Sequence, residues 1–407
     1  MSGPLSHIRV LDLSRVLAGP WAAQNLADLG AEVIKVERPG VGDDTRGWGP
    51  PYMKDAEGKD TSEAAYYLSC NRNKKSVTID IGKPEGQALV RELAAQCHVL
   101  IENYKVGTLK RYGLGYEDLK KVNPGLIYCS VTGFGQDGPY AERPGYDFIF
   151  QGMCGLMSIT GERDGQPGAG PMKVGIAITD VLTGMYASLA VTAAVAHWQR
   201  TGQGQYIDMA LLDVLTAFNA NQIVSYFCSG NIPKRWGNAH PQVVPYEVFA
   251  TSDGHIILAV GNDGQFSRFC KVAGHPEVAE DPTFKTNSQR IINRDKLIPM
   301  IAGWMKTRTK AQWIEQLEAG TVPCGPINNM KEVFEDPQVL HRQMRVDIPH
   351  PLGGTAPVVA SPMRFTETPV EYRLAPPMLG QNNAEIYEGL LGKSAADIEK
   401  LRAAGAI

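Results

Sequence analysis

In the first third of the chain, short apolar runs alternate with segments that have helical spacing. The apolar and β-branched runs predict strands at 8–14, 31–37, 75–81, 98–104 and 125–131. Between them, segments such as "WAAQNLADLG" and "KPEGQALVRELAAQC" repeat apolar residues with the period of a helix. Strands that alternate with helices predict a parallel sheet covered on both faces, with right-handed crossovers. We therefore predict an α/β fold whose large domain is a Rossmann-like layer sandwich.

The pattern of the sequence changes near residue 230, where β-rich runs begin. Asp253 and Gly254 lie between two such runs, which is a signal for a hairpin. Helical spacing follows at 287–306 and 309–319, and a β segment and a helical tail complete the chain. We interpret 225–328 as a smaller α+β domain.

Composition narrows the class of protein. A chain of 407 residues with 43% hydrophobic and 20% charged residues is typical of a globular protein with about two domains. The net charge of −3 does not favour a nucleic-acid or membrane-surface partner. Seven cysteines without C-x-x-C spacing indicate a reducing compartment. The N-terminus lacks the regions of a secretory signal, and the apolar stretch 181–196 is interrupted and short for a membrane span. We expect a cytoplasmic protein.

Several catalytic motifs can be set aside. The run Gly133–Gly138 has G-x-G-x-x-G spacing after a strand, but Pro139 and a loop follow it where a dinucleotide site requires a helix. The eight histidines form no H-x-x-x-H or H-x-H pair, so no metal site is expected. No G-x-S-x-G motif occurs, and no cysteine has the sequence context of a nucleophile.

Asp180 is the candidate that remains, at the start of the long apolar helical pattern "ITDVLTGMYASLAVTAAVAHW". One interpretation is a helix cap, because Thr and Asp accept the free N–H groups at helix starts. The other is a covalent nucleophile, because a helix N-terminus favours a carboxylate anion and an unperturbed Asp is already anionic at pH 7. The residues alone leave both interpretations open.

An ordered set of longer motifs resembles one enzyme family. The stretches "VLDLSRVLAGPWAAQNLADLGAEVIKVERPGVGDDTRGWGPP", "NRNKKSVTIDI", "ENYKVGTLKRYGLGYEDLKKVNPGLIYCSVTGFGQDGP" and "RPGYD" are similar to the class III CoA-transferases, the formyl-CoA transferase and CaiB/BaiF group. The later stretches "GIAITDVLTGMYA", "KRWGNAHPQVVPYEVF" and "VPCGPINNM" extend the resemblance over essentially the whole chain.

This resemblance implies an architecture and a reaction. The large domain is expected to be built from both ends of the chain, 1–224 and 329–407, with 329–407 returning from the small domain, and two chains are expected to interlock as a homodimer. The family's nucleophile corresponds to Asp180. It would accept the acyl group of an acyl-CoA as a mixed anhydride and then carry CoA as an aspartyl thioester. The substrates would be CoA thioesters and small carboxylic acids, with no metal or tightly bound cofactor.

The resemblance also assigns binding residues. The CoA-binding positions of the family correspond to Val16, Arg38, Ile79, Asp80, Ile81, Asn103, Arg111, Arg143 and Tyr146. The motifs are most similar to members that use dicarboxylic acids, which implies succinyl-CoA as donor and glutarate as acceptor. The second carboxylate of such an acid requires a cation, and the candidates are Arg46, Arg72 and Arg235, with His240 as a polar neighbour. We prefer Arg72 and Arg235, although each could instead form a structural ion pair.

Two alternative functions remain open, and the chain departs from the formyl-CoA enzyme in two features. The related α-methylacyl-CoA racemases share the fold but use a histidine where this chain has Tyr146, and a tyrosine is a poor base at pH 7. A CoA-binding protein without catalytic activity is the other alternative. Leu17 replaces a glutamine of the formyl-CoA enzyme, and that enzyme's long glycine-rich loop is missing. Both departures argue against formate or oxalate as substrate.

Overall fold

Strands and helices alternate through the first half of the protein, as the sequence pattern predicts. The computed structural model describes residues 3–407. From the N-terminus to residue 229 the chain forms β1 (Arg9–Asp12), α1 (Ala18–Asp28), β2 (Glu32–Glu37), β3 (Tyr52–Lys54), β4 (Asp60–Ala64), α2 (Ala65–Leu68), β5 (Lys74–Thr78), α3 (Pro84–Ala95), β6 (Val99–Glu102), α4 (Thr108–Arg111), α5 (Tyr116–Leu119), β7 (Ile127–Thr132), α6 (Asp147–Met153), α7 (Leu156–Ile159), α8 (Ile178–Thr201), β8 (Tyr206–Ala210), α9 (Leu211–Phe218) and α10 (Ala220–Ser229). All five predicted strands are present.

Six of these strands form one parallel sheet in the order β5-β2-β1-β6-β7-β8. The strand order therefore changes direction between β1 and β6. In open α/β sheets, ligands bind outside the carboxyl ends of the strands at such a point. The loops that leave β1 and β6 are consequently where the topology places a binding site.

Helices cover both faces of the sheet. The face that carries Leu11, Ile34 and Val77 packs against α3, α4 and α5 in one buried cluster. On the opposite face, α1 lies on β1, β2 and β6, and α8 lies on β7 and β8. α1 and α8 also pack on each other, and a Cβ at Gly184 would lie 2.6 Å from the carbonyl oxygen of Ala18. Glycine at this position therefore allows the close approach that brings the start of α8 to the start of α1.

α8 is long and apolar enough to span a membrane by length and composition. One such helix is weak evidence for a membrane protein, because core helices meet the same criteria. It packs on α1, α9, β7 and β8 of this unit along one side, while Met185, Tyr186 and Leu189 on another side are exposed in the single chain.

The second half of the chain first forms a smaller unit. Its elements are β9 (Tyr246–Ala250), β10 (His255–Ala259), α11 (Asp263–Ala273), α12 (Pro276–Glu280), α13 (Asn287–Ile292), α14 (Arg294–Met305), α15 (Lys310–Ala319), β11 (Cys324–Pro326) and α16 (Met330–Glu335). β9 and β10 form the antiparallel hairpin predicted at Asp253–Gly254, and β11 pairs with β10. Trp313 and its apolar neighbours form a separate buried core.

The last 70 residues belong with the parallel sheet. Together with Pro337 they form α17 (Pro337–His341), β12 (Arg345–Pro349), β13 (Thr355–Val359), a π-helical turn (Glu385–Leu390) and α18 (Ala395–Ala403). Side-chain oxygens of Asn382 and Asn383 accept from the amides of Ser76 and Thr78, which secures the edge strand β5. The larger unit consists of the described residues up to Leu156, of Val174–Phe227 and of Gln338–Ile407. The smaller unit is Met157–Lys173 with Cys228–Pro337, so it includes a segment that the sequence pattern does not assign to it.

Candidate active site

A cavity of about 220 Å³ lies in the larger unit at the point where the strand order reverses. The carboxyl ends of three parallel strands and the segments that follow them form its walls: Arg15–Ala18 after β1, Asn103–Val106 after β6, and Val131–Gly133 at the end of β7 with Ala141–Tyr146 after it. Asp180, from the first turn of α8, completes the lining together with Leu211 and Asp44. The cavity is thus where the topology places a ligand, and Asp180 is one of its walls.

Asp180 does not cap its helix. The N-cap position of α8 is Ala177, and Asp147 provides the capping carboxylate, because its Oδ1 accepts from the amide of Thr179 at 2.7 Å. The second oxygen of Asp147 accepts from Gln151 at 2.7 Å. Within residues 3–407, the carboxylate of Asp180 has no hydrogen-bond donor or ion-pair partner. The structure therefore favours the reagent interpretation of Asp180 over the cap interpretation.

The electrostatic surroundings of Asp180 differ from the sequence-based expectation. Burial raises the pKa of Asp180 to about 7, and the neighbouring charge of Asp147 adds to the rise. The expectation that the helix N-terminus keeps this carboxylate fully ionised at neutral pH is therefore wrong. The main physical reason is burial of the carboxylate, and the second is that Asp147 occupies the positive end of α8 and places a like charge beside Asp180. Burial and repulsion make the Asp180 anion more basic than a solvated carboxylate.

CoA transfer is expected to depend on pH through Asp180. Only the anion is nucleophilic, so kcat/KM should rise through pH 7, level off above it, and fall about tenfold per unit at lower pH. Asp147→Asn removes the like charge but keeps an oxygen that can cap α8. This change should lower the pKa of Asp180 and move the rising limb to lower pH. Initial rates between about pH 5.5 and about pH 9 measure both profiles.

The matched control for this shift is Asp213→Asn, in the first turn of the adjacent helix α9, where the side chain is exposed. The rising limb of the kcat/KM profile of Asp213→Asn should lie at the same pH as that of the unchanged protein. A limb that stays at the same pH in Asp147→Asn would show that Asp147 does not act on Asp180.

Tyr66 is a neighbour that the sequence analysis did not identify. Burial and the charge of Asp180 raise the pKa of Tyr66 to about 12, so its hydroxyl is neutral and can donate at pH 7. The ring of Trp48 packs edge-on against it, with ring centroids 4.9 Å apart. No local motif marks Tyr66, because its relation to Asp180 depends on two segments more than 100 residues apart in sequence.

A second cavity, of about 300 Å³, contains most of the remaining residues predicted to bind CoA. It shares Arg15, Asp44 and Tyr104 with the Asp180 cavity, so the two adjoin. Of the predicted CoA-binding residues, Val16, Asn103, Arg143 and Tyr146 line the Asp180 cavity, and Arg38, Ile79, Asp80 and Ile81 line the second one. Arg111 lines neither cavity and lies on α4 between Thr108 and Tyr112, which do line the second.

Arg143 is a cation in the Asp180 cavity. Its guanidinium lies 4.4 Å from the ring centroid of Tyr140 and 5.4 Å from that of Phe134. It forms no ion pair within residues 3–407. Stacking on two rings orients the guanidinium while its N–H groups stay available to an anion.

The structure assigns Arg46 and Arg72 to structural ion pairs and not to the cavity. Arg46 is mostly buried and donates to both oxygens of Glu37 at 2.7 and 2.8 Å, and to Glu63 at 3.0 Å. Arg72 is buried and donates to Asp28 at 3.0 and 2.5 Å. The expectation that either binds substrate is corrected: their donors are already used, and neither side chain lines the Asp180 cavity.

Arg235 and His240 belong to the smaller unit. Arg235 donates to the carbonyl oxygen of Glu162 at 3.2 Å and forms an ion pair with Asp164. Nδ1 of His240 accepts from the amide of Gln242 at 3.1 Å, and burial with the nearby Arg294 lowers the pKa of His240. The ring is therefore neutral at pH 7. A role of these residues in binding the substrate carboxylate stays a prediction.

Within residues 3–407, no group of three His, Cys, Asp or Glu side chains is placed to hold a metal ion. The seven cysteines are free thiols, and burial raises the pKa of six of them above the ordinary value: Cys70, Cys97, Cys129, Cys154, Cys270 and Cys324. Cysteine is not among the residues that line the Asp180 cavity. Asp180 is consequently the candidate nucleophile of this site.

The chain is similar to known proteins along nearly its whole length. Residues 5–383 match the model of CoA-transferase family III, and the chain belongs to that family. It is 51% identical to "Succinate--glutarate CoA-transferase" of Agrobacterium fabrum, with 95% of this chain and 96% of that protein covered. It is 43% identical to "Succinyl-CoA:glutarate CoA-transferase" of Mus musculus, over 99% of this chain and 90% of that protein.

A solved structure agrees with this assignment. The CAIB/BAIF family protein from Brucella suis is 47% identical and superposes with a TM-score of 0.84, covering 96% of this chain and all of that one. The α/β architecture with a parallel sheet is therefore that of the family. The protein is a transferase that acts on CoA thioesters, as the family resemblance predicts.

Proposed function

We propose that this CoA-transferase moves CoA from succinyl-CoA to glutarate through covalent intermediates on Asp180. The observation that carries the proposal is the Asp180 carboxylate, which lines a cavity at the carboxyl edge of the sheet with no partner in residues 3–407. The names of the most similar relatives support the two substrates. An unpaired carboxylate of raised pKa suits attack on a thioester.

Every bond that breaks in the proposed reaction is matched by a bond that forms, without a cofactor. The Asp180 carboxylate attacks the thioester carbonyl of succinyl-CoA, the C–S bond breaks, and CoA thiolate leaves a mixed anhydride. The thiolate then attacks the Asp180 carbonyl, which releases succinate and forms an aspartyl-CoA thioester. A glutarate carboxylate attacks that thioester and again expels thiolate. The thiolate finally attacks the glutaryl carbonyl, which yields glutaryl-CoA and restores the Asp180 carboxylate.

The start of α1 is suited to stabilise the negative charge that these attacks create. Leu17 and Ala18 line the Asp180 cavity, and α1 has no side-chain cap. The amides of Leu17, Ala18 and Gly19 have no acceptor in the described part of the chain. Free amides at the positive end of a helix are the groups that lower the energy of an oxyanion.

The alternatives receive less support from the site. A racemase requires a base for the α-proton, and no histidine is among the residues that line the Asp180 cavity. Tyr146 stands in the loop position where the related racemases have that histidine. A CoA-binding protein without activity does not require a carboxylate that is left unpaired at a cost in desolvation.

The assembly belongs to the same proposal. We propose a Rossmann-like large domain, whose strand order along the sheet is 3-2-1-4-5-6 when its six strands are numbered by chain position. Two chains are proposed to interlock as a homodimer. Support comes from large apolar side chains that the single chain leaves exposed in the segments 146–148 and 176–189, namely Tyr146, Phe148, Ile176, Met185, Tyr186 and Leu189. A cytoplasmic location stays a prediction.

Substrate choice is tested with a panel of acids. With succinyl-CoA as donor, glutarate should yield glutaryl-CoA, detected by mass spectrometry of the thioesters. Butyrate, which lacks the second carboxylate, should lose at least about 100-fold in kcat/KM, because a cationic subsite for that carboxylate would be left unpaired. Acetyl-CoA in place of succinyl-CoA is the matched donor control. Equal use of butyrate and glutarate would contradict a dicarboxylate enzyme.

A further inference from the structure

Val16, in the wall of the Asp180 cavity, has a backbone conformation that its side chain disfavours. Its φ angle is +71°, in the left-handed region. A β-branched residue rarely adopts this region, because its side chain crowds the backbone, and such residues persist only where the surroundings hold them. Among the non-glycine residues of 3–407 with positive φ, Val16 is the one that lines this cavity. Something must therefore hold it there.

The group that holds Val16 is the side chain of Asp43. The amide of Val16 donates to both carboxylate oxygens of Asp43, at 3.2 and 3.3 Å. This contact fixes the peptide group between Arg15 and Val16, which is the upstream end of the left-handed turn, while the packing of Ala18 against Gly184 restrains the downstream end. The side chain of Asp43 is itself held by hydrogen bonds, since the amide and hydroxyl of Thr45 donate to its Oδ1 at 3.0 and 2.8 Å.

A buried lysine fixes Asp43 in turn. Nζ of Lys35 lies 2.9 Å from Oδ2 of Asp43, and both side chains are fully buried. The same Nζ donates to the carbonyl oxygen of Ser14 at 2.8 Å. Burial alone would raise the pKa of Asp43, but Lys35 and Thr45 lower it to about 2, so the anion persists. Lys35 thus binds both the loop before Val16 and the carboxylate that holds Val16.

We infer that Asp43 is a positioning residue for the Asp180 reaction, which holds Val16 in its strained conformation and thereby places residues 16–18 against Asp180. The inference rests on the proposed function of Asp180. After Val16 the chain turns directly into α1, whose start lies against α8 through the contact of Gly184 with Ala18. If Val16 relaxed to an extended conformation, Leu17 and Ala18 would leave the cavity wall. Asp43 itself touches no reacting atom in this account.

The inference is tested by a double-mutant cycle between Asp43 and Val16. Asp43→Asn removes the charge that pairs with Lys35, and kcat should fall at least about tenfold. In Val16→Gly the left-handed conformation carries no side-chain cost, so the loop needs less restraint. Added to Val16→Gly, Asp43→Asn should therefore cost less than about threefold in kcat. Equal losses in the two backgrounds, or an unchanged kcat in Asp43→Asn, would overturn the inference.

Folding is controlled in the same set of variants. Asp28→Asn weakens an equally buried pair with Arg72, away from the cavity, and should lower the thermal midpoint without the kcat loss of Asp43→Asn. If Asp43→Asn alone does not fold, the double variant decides. A double variant that folds and transfers CoA supports the inference, and one that is also unfolded overturns it, because Asp43 would then be required independently of Val16.

Failure of the positioning role of Asp43 can be distinguished from failure of the proposed function of Asp180. Formation of an acyl adduct on Asp180 is measured in the unchanged protein alongside the variants. If no adduct forms there, the proposed function fails whatever the cycle shows. If the adduct forms and Val16→Gly does not relieve the Asp43→Asn loss, only the positioning role of Asp43 fails.

Discussion

Asp180→Ala is expected to reduce CoA transfer by roughly 10⁴-fold or more, since no other side chain replaces a covalent nucleophile. The protein should remain folded. The Asp180 carboxylate makes no hydrogen bond or ion pair within residues 3–407, and its burial is unfavourable, as the raised pKa of about 7 indicates. The thermal midpoint should therefore stay the same or rise. Initial rates with succinyl-CoA and glutarate, and a thermal unfolding curve, measure the two effects.

Two variants make this result specific. Asp180→Asn keeps the size and shape of the side chain and should be as inactive as Asp180→Ala, because an amide does not attack a thioester. Asp213→Ala removes an exposed carboxylate from the first turn of the neighbouring helix α9 and should keep the normal rate. CoA transfer at the normal rate in Asp180→Ala would contradict covalent catalysis by Asp180.

Arg72→Ala is expected to destabilise the protein strongly without a specific loss of substrate binding. In the unchanged protein, Arg72 and Asp28 form a buried ion pair at 2.5 Å. In Arg72→Ala, the buried carboxylate of Asp28 would lose this partner. Breaking a buried pair from one side typically costs about 3–5 kcal/mol of unfolding free energy. Denaturant unfolding measures the loss. KM for glutarate in the protein that remains folded should stay within about twofold of the normal value, since Arg72 does not line the Asp180 cavity.

The matched control is the partly exposed pair of Arg9 with Glu32, at 2.6 Å. Arg9→Ala should cost only about 0–1 kcal/mol, because water screens such pairs. The opposite result would be normal stability of Arg72→Ala together with a KM for glutarate raised by about tenfold or more, which is the effect expected for a lost ion contact. That result would show that Arg72 binds the substrate carboxylate.

Much of the fold is local in origin and could be predicted. The five strands of the sheet follow from short apolar runs, and the hairpin of β9 and β10 follows from Asp253–Gly254. The pairing of Met157–Lys173 with the smaller unit could not be predicted, because it is a tertiary contact between segments far apart in sequence.

The site could be predicted only in part, for the same reason. Asp180 was recognisable from the resemblance, whereas its helix pattern alone favoured a cap and could not establish a nucleophile. The partners of Arg46 include Glu37 and the carbonyl of Pro377, 331 residues away, and no spacing in the sequence marks such a contact. The pKa of Asp180 depends on burial and on Asp147, which caps α8 from another helix. Charge at a helix start is therefore not readable from the helix alone.

The most direct measurement is to trap the acyl group on the protein. The enzyme is incubated with succinyl-CoA in the absence of an acceptor acid, quenched with hydroxylamine or borohydride, digested, and its peptides are analysed by mass spectrometry. The account predicts a modified Asp180 in the peptide that contains "GIAITDVLTG", and no such modification in Asp180→Asn. A transferase that turns over normally but yields no modified peptide, or one modified at another residue, would contradict it.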